Sequence, residues 1–110
     1  MKQIYLASPF FNDTELVVYK ETISRLRNAG YKVHVPQEHE IKNAWDYSNA
    51  DWARMVFDMD VDALRVSDVV MVLNFGMYSD SGTAWEAGFA AALEIPVIQV
   101  LCGFENCTYS

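Results

Sequence analysis

The chain has 110 residues, room for one domain around one core. Apolar residues make up 52% and charged residues 21%, a globular composition and not a disordered one. Acidic side chains number 15 against 8 basic ones, and the formal charge of −7 argues against gripping nucleic-acid phosphates or docking on anionic lipid, both of which need concentrated positive charge. No apolar run approaches the ~18–20 residues of a membrane span. Met1-Lys2-Gln3-Ile4-Tyr5 runs straight into a strand-like pattern, with no signal peptide visible. Cys102 and Cys107 read as reduced thiols, so a cytoplasmic protein is expected.

Ile4 to Ala7 is a short apolar run that stops at the turn signal Ser8-Pro9. Asn12-Asp13-Thr14 supplies N-cap chemistry, Leu16, Val17, Tyr19, Ile23 and Leu26 follow at helical spacing, and Gly30 ends the helix. Tyr31 to Val35 alternates as a second strand, halted by Pro36. Residues 37 to 48 are polar without period and read as a loop. Asp51 to Leu64 is helical, with Trp52, Met55, Val56, Met59 and Ala63 on its apolar face. Val69 to Leu73 is a continuous aliphatic run, the mark of a parallel strand buried on both faces. Gly76 to Gly82 reads as a loop, Thr83 to Leu93 as an alanine-rich helix, and Ile95 to Leu101 as a fourth strand with Pro96 near its start.

This β-α-β-α-β-α-β order predicts a single α/β domain over 1–110. Its expected architecture is a flavodoxin-like, doubly wound parallel sheet in three layers with right-handed crossovers. Ligands in such sheets bind outside the carboxyl ends of the strands. Three loops meet there: Ser8 to Asp13, Pro36 to Ser48, and Asn74 to Gly82. No helix pattern follows the fourth strand over Gly103 to Ser110, so one sheet face is expected to be bare and covered by another subunit, making a homo-oligomer.

The segment Ser81-Gly82-Thr83-Ala84-Trp85-Glu86-Ala87-Gly88 follows a buried strand and opens a helix. Thr83-x-x-Glu86 fits a capping box, in which Glu86 reaches back to the Thr83 amide. It also fits a carboxylate aimed into the cleft from a helix's first turn, kept ionised by the dipole and suited to act as a nucleophile. Gly82 and Gly88 reduce crowding there and let a substrate or strand come close.

Asp60 lies with Val56 and Leu64 at the edge of the apolar stripe, as an edge residue bending to water or as a carboxylate something binds. Asp58 falls on the far side near Arg54, a solvated ion pair. Asp68 precedes the third strand and is expected to bond local backbone. Asp80 reads as an N-cap or turn residue, or as an acid/base partner of Glu86. Phe10, Phe11 and Trp85 are core aromatics or walls for a planar base. Tyr5 can bury its ring in the first strand and still reach the cleft with its hydroxyl. His34 and His39 have no metal-ligand spacing, and no Walker loop, GxGxxG or GxSxG occurs, so no metal or cofactor is expected.

Taken in order, Ile4-Tyr5-Leu6-Ala7-Ser8-Pro9-Phe10-Phe11, Gly30-Tyr31-Lys32-Val33, Asp60 with Ser67-Asp68-Val69-Val70, and Asp80-Ser81-Gly82-Thr83-Ala84-Trp85-Glu86-Ala87-Gly88-Phe89-Ala90 resemble the nucleoside 2-deoxyribosyltransferase family. The resemblance spans nearly the whole chain; its specific parts are the opening YLASPFF and the SGTAWEAG segment. It implies transfer of 2-deoxyribose between nucleobases, with a 2′-deoxynucleoside and a free nucleobase as partners and no cofactor. Glu86 would be the nucleophile that forms a deoxyribosyl ester. Asp80 would serve the departing base, and Asp60 would hold a sugar hydroxyl or orient Glu86. Tyr5 would bond the nucleophile, Phe11 and Trp85 would shape the base pocket, and Gln37 would reach the base edge. The family commonly continues past the fourth strand and uses a neighbour's C-terminal region at the sugar; the resemblance therefore implies that this contact is absent, that it comes from another segment, or that the domain is C-terminally short.

The nearest alternative is a hydrolase of deoxynucleoside 5′-monophosphates using the same glutamate. Its phosphate cradle would need Arg and paired glycines in the first loop, where Ser8-Pro9-Phe10-Phe11-Asn12-Asp13 is apolar and then acidic. A phosphoribohydrolase of the GGxGTxxE kind matches only at Gly82-Thr83-x-x-Glu86. An inactive nucleotide-binding module of the same fold is the non-enzymatic alternative, whereas a receiver module would need acids after the first strand and a lysine after the last.

Overall fold

The computed structural model describes residues 2–10, 12–35, 48–75 and 81–102. In chain order the elements are β1 (Gln3–Ala7), α1 (Asp13–Asn28), β2 (Lys32–His34), α2 (Asn49–Arg65), β3 (Val69–Phe75), α3 (Ser81–Ala92) and β4 (Val97–Cys102). The strands form one parallel sheet in the order β2-β1-β3-β4. This is the expected doubly wound topology, in which the strand order reverses direction between β1 and β3.

Register decides which side chains share a face. Tyr5 stands beside His34 on β2 and Val70 on β3, and Val70 beside Val97 on β4. Side chains alternate along each strand, so Tyr5, Ala7, Val70 and Val72 point one way and Leu6 and Leu73 the other. The first set packs with Ala63 and Leu64 of α2 and Ala90 of α3. The second packs with Tyr19 of α1 and with Val33 and Val35. The three layers are thus α1, the sheet, and the α2–α3 pair.

Local chemistry sets the helix ends. The Asn12 side chain accepts from the Glu15 amide at 2.9 Å and caps α1. At its far end Gly30 adopts φ 96°, while the Gly30 and Tyr31 amides bond back to Arg27 and Leu26 at 3.0 and 3.2 Å. This pair of bonds is a Schellman stop, and the left-handed residue it requires is the predicted glycine. Ser48 caps α2 by accepting from the Asp51 amide at 3.1 Å, so the helix begins ahead of the expected Asp51.

Several boundaries and burials differ from the sequence reading. β3 runs on to Phe75, and β4 begins after Pro96 instead of at Ile95. Ser81 and Gly82 belong to α3 and not to a loop. Trp52, assigned to the buried face of α2, is exposed, because burial in that helix concentrates at Ala63 and Leu64 in its last turns. Asp58 does pair with Arg54, at 4.0 Å on the exposed face. Asp68 bonds backbone, but not locally: its Oδ2 accepts from the Gln3 amide at 2.7 Å and ties the entry of β3 to the start of β1. On β4, Ile98 and Val100 share the α1-side face with Met71 and Leu73, and both are exposed.

Candidate active site

The site is built on three elements. β1 supplies Tyr5, whose ring is fully buried between the sheet and the α2–α3 layer. α3 supplies Gly82, Trp85 and Glu86, and α2 supplies Phe57 and Asp60. Spacing explains the grouping: Phe57 and Asp60 are three apart on α2, and Gly82, Trp85 and Glu86 fall at i, i+3 and i+4 on α3, so each set shares one helix face. These five residues line a cleft of about 190 Å³ between the two helices. A larger cavity of about 430 Å³ reaches Gln3 and Lys32, the first residues of β1 and β2, and contains neither Asp60 nor Glu86. The chemistry-bearing carboxylates lie in the smaller one.

Beneath the cleft the Tyr5 hydroxyl donates a hydrogen bond to Oε2 of Glu86. Burial, and then the neighbouring carboxylate charges of Glu86 and Asp60, push the Tyr5 phenol far above its ordinary pKa. The phenol therefore keeps its proton and stays a donor. Its ring is also stacked on the His34 imidazole, with centroids 5.1 Å apart and planes 21° from parallel.

The extent of α3 removes the capping-box reading of Glu86. α3 is helical from Ser81, so Thr83 lies inside the helix and is buried there, whereas a capping box needs its threonine at the non-helical cap. Glu86 is accordingly past the first turn of α3, and the dipole argument for holding it ionised weakens. What orients it is the phenol of β1.

The outer wall is aromatic. Phe57 and Trp85 meet at 5.4 Å with planes tilted by 54°. Trp85 stacks on Phe89 at 5.1 Å and 22°, and the Arg65 guanidinium lies 5.6 Å over the Phe89 ring. Phe57 and Trp85 are 50% and 45% exposed and both line the cleft.

Of the predicted site residues, Asp60, Gly82, Trp85 and Glu86 come together in the cleft, and Tyr5 sits against Glu86. Phe10 does not join them; its ring packs on Tyr19 at 5.4 Å, in the core on the α1 side of the sheet. Phe11, Gln37 and Asp80 lie outside the described residues. Phe57 was not singled out from sequence, although its i, i+3 spacing to Asp60 is a usable signal. Nor was the stacking of His34, which only strand register reveals. Among the described residues no group of three or more His, Cys, Asp or Glu side chains is arranged to hold a metal ion. Among the same residues no helix is long and apolar enough to cross a membrane.

Comparison with known proteins points to one family and one fold. The family model for nucleoside 2-deoxyribosyltransferase matches residues 4–108. A 2-deoxyribosyltransferase from Bacillus psychrosaccharolyticus is 30% identical, with a TM-score of 0.80 over 98% of this chain and 77% of that one. A CMP N-glycosidase from Clostridium botulinum is 25% identical, with a TM-score of 0.64 over 98% of this chain and 75% of its own. A 2-desoxiribosyltransferase from Leishmania mexicana shares the fold, at 22% identity and a TM-score of 0.65 over 92% of this chain and 65% of its own. No curated protein matches the chain.

Proposed function

The chain belongs to the nucleoside 2-deoxyribosyltransferase family, and on that footing we propose that it moves 2-deoxyribose from one nucleobase to another through an ester on Glu86. The observation that carries the reading is the Tyr5–Glu86 hydrogen bond at the foot of a cleft that also holds Asp60. A carboxylate oriented by a buried donor, in a cleft walled by aromatic rings, suits attack on a sugar carbon beside a planar base.

The reaction is a double displacement. As the bond between C1′ and the base nitrogen breaks, the bonding pair leaves with the base, which takes a proton from an acid; Asp80, or water that it holds, is assigned that role. Positive charge developing on C1′ and the ring oxygen is met by the Glu86 carboxylate, which closes the ester. A second base then attacks C1′ from the face the first one left, its N–H proton returns to the group that protonated the first base, and the ester electrons return to Glu86. The missing 2′-hydroxyl helps, because it would otherwise withdraw electrons from the cationic carbon. Asp60 takes a sugar hydroxyl or steadies Glu86. Phe11 and Trp85 flank the base, and Gln37 reaches its edge.

The CMP N-glycosidase neighbour keeps a second reading in view, hydrolysis of nucleoside 5′-monophosphates on the same glutamate. The apolar and acidic loop at Ser8 to Asp13 disfavours it, since it offers a phosphate no cation. Homo-oligomerisation belongs to the proposal as well, with the exposed Ile98 and Val100 face as the surface to be covered.

One incubation tests the assignment: a 2′-deoxynucleoside with a different free base, analysed for the exchanged nucleoside. Exchange is expected. Release of free base from a 5′-monophosphate without exchange supports the hydrolase, and no turnover of either supports an inactive binding module.

A further inference from the structure

We propose that Asn74 contacts the substrate, its side-chain oxygen accepting a hydrogen bond from an N–H or O–H of the bound nucleoside; the inference rests on the reading that the cleft takes a nucleoside. The Asn74 oxygen is buried, and among the described residues none donates to it. Leaving a buried acceptor unpaired is costly, and native structures seldom do so without a reason.

Strand register places this side chain. Asn74 is the last residue but one of β3. Ala7, which ends β1, pairs with Val72, so Asn74 stands two residues beyond the end of β1. This is the carboxyl edge of the sheet, beside the point where the strand order reverses, and parallel sheets leave a crevice for ligands there. Alternation puts Asn74 on the face of Val70 and Val72, the side on which α2 and α3 pack and on which Tyr5 reaches Glu86, whereas Phe75 packs on the α1 side. Because α3 joins β3 to the parallel β4, it runs back across the sheet from that carboxyl edge. Its first turn, with Gly82 of the cleft, therefore lies at the Asn74 end, and Glu86 lies one turn further in.

The chemistry of the site calls for a donor from outside the chain. Glu86 and Asp60 are themselves acceptors when ionised, and the Tyr5 hydroxyl is already given to Glu86. A nucleoside brings the donors that these groups do not: its sugar hydroxyls and the N–H groups of its base. A donor placed over Asn74 satisfies an oxygen that the fold alone does not, so the bond adds to binding and fixes the orientation of the nucleoside.

The test measures nucleoside binding by calorimetry in the Glu86→Gln protein, where the ligand is not consumed, with and without Asn74→Leu. The ligand is whichever of 2′-deoxyadenosine and thymidine binds more tightly, together with analogues that each lack one donor: the base N–H, the 3′-hydroxyl or the 5′-hydroxyl. Asn74→Leu is expected to weaken binding of the parent nucleoside by about tenfold. The loss is expected to vanish for one analogue, which identifies the donor. A side chain that only supports the strand, or one whose oxygen is held by water, weakens every ligand alike or none. Equal losses across the analogues, or no loss at all, therefore overturn the role of Asn74, and leave the transferase reading standing if wild type exchanges bases. Asn74→Ala takes the place of the leucine variant if that one fails to fold. A wild type that exchanges no base, while the binding pattern holds, overturns the transferase reading and keeps Asn74 as a nucleoside contact. A protein that binds neither nucleoside overturns both.

Discussion

Tyr5 and Glu86 are 81 positions apart in sequence and joined by a hydrogen bond from phenol to carboxylate. The bond links the centre of the sheet to the helix that carries the proposed nucleophile. Removing the hydroxyl alone, in Tyr5→Phe, leaves the buried ring and its stacking on His34 in place. A hydrogen bond to a charged group contributes about 1.5–3 kcal/mol. Tyr5→Phe is therefore expected to lower stability by up to that amount while keeping the fold, and to lower kcat for base exchange by about 10- to 100-fold. Steady-state kinetics alongside circular dichroism checks this, and an unchanged kcat would remove Tyr5 from the machinery.

The same phenol makes stability depend on alkaline pH. Burial and the nearby carboxylates raise the Tyr5 pKa in the folded state, while in the unfolded chain it titrates near ~10. Above that pH the unfolded state sheds a proton that the folded state keeps, so unfolding becomes easier as pH rises. Below it both states hold the proton, and the contribution is complete. Tyr5→Phe has no such proton to lose. Urea midpoints at about pH 8 and about pH 11 should show wild type losing more stability than Tyr5→Phe over that interval. Equal losses would mean that the phenol ionises as readily in the fold as out of it.

Glu86→Gln keeps the size of the side chain and removes the nucleophile. Loss of a covalent nucleophile is expected to cost kcat at least about 10³-fold. Glu86 is only half-buried, so the thermal midpoint should stay close to that of wild type. Intact-mass spectrometry of wild type with a deoxynucleoside and no acceptor should reveal a deoxyribosyl adduct, and peptide mapping should place it on the peptide that contains Glu86. An adduct on another residue would relocate the chemistry.

Aspartates in similar sequence settings divide by their partners. Asp60 lines the cleft, whereas Asp68 holds the Gln3 amide at 2.7 Å, where β1 and β3 begin. Asp68→Ala is expected to destabilise the fold by about 1–2 kcal/mol in denaturant melts and leave KM and kcat near wild type. Asp60→Asn should do the reverse, raising KM for the nucleoside with little loss of stability. A stability loss in Asp60→Asn matching that of Asp68→Ala would place both residues in the scaffold.

What could be read from the sequence follows a physical boundary. Aliphatic runs such as Val69 to Leu73, and the stop at Gly30, are local signals, and the strands, helices and topology followed from them. Asp60 and Glu86 were recognisable from helical spacing and from the family resemblance. The Tyr5–Glu86 bond was expected only through the family resemblance, while the His34 stack and the Asp68–Gln3 bond depend on which strands become neighbours, and that is not written in any short window. For Phe10 the sequence left core and cleft both open, and the ring packs on Tyr19 on the α1 side of the sheet. Phe57 lies off the apolar face read for α2, and its spacing to Asp60 gains meaning only with its exposure beside Trp85.

The end of α3 offers a stabilising change. The Glu94 and Ile95 amides bond back to Ala91 and Ala90 at 3.0 and 2.9 Å, the pattern that Gly30 closes at the end of α1. Here the left-handed position, at φ 61°, is held by Glu94, and no glycine is present. Its Cβ crowds the carbonyl in that conformation, at a cost of about 1–2 kcal/mol, part of which glycine returns through its freer unfolded chain. Glu94→Gly is therefore expected to raise stability by about 0.5–1 kcal/mol, read as a higher urea midpoint at unchanged slope. Glu94 is exposed and outside the cleft, so base exchange should be unaltered. A lower midpoint would show that the glutamate side chain contributes more at that position than its backbone costs.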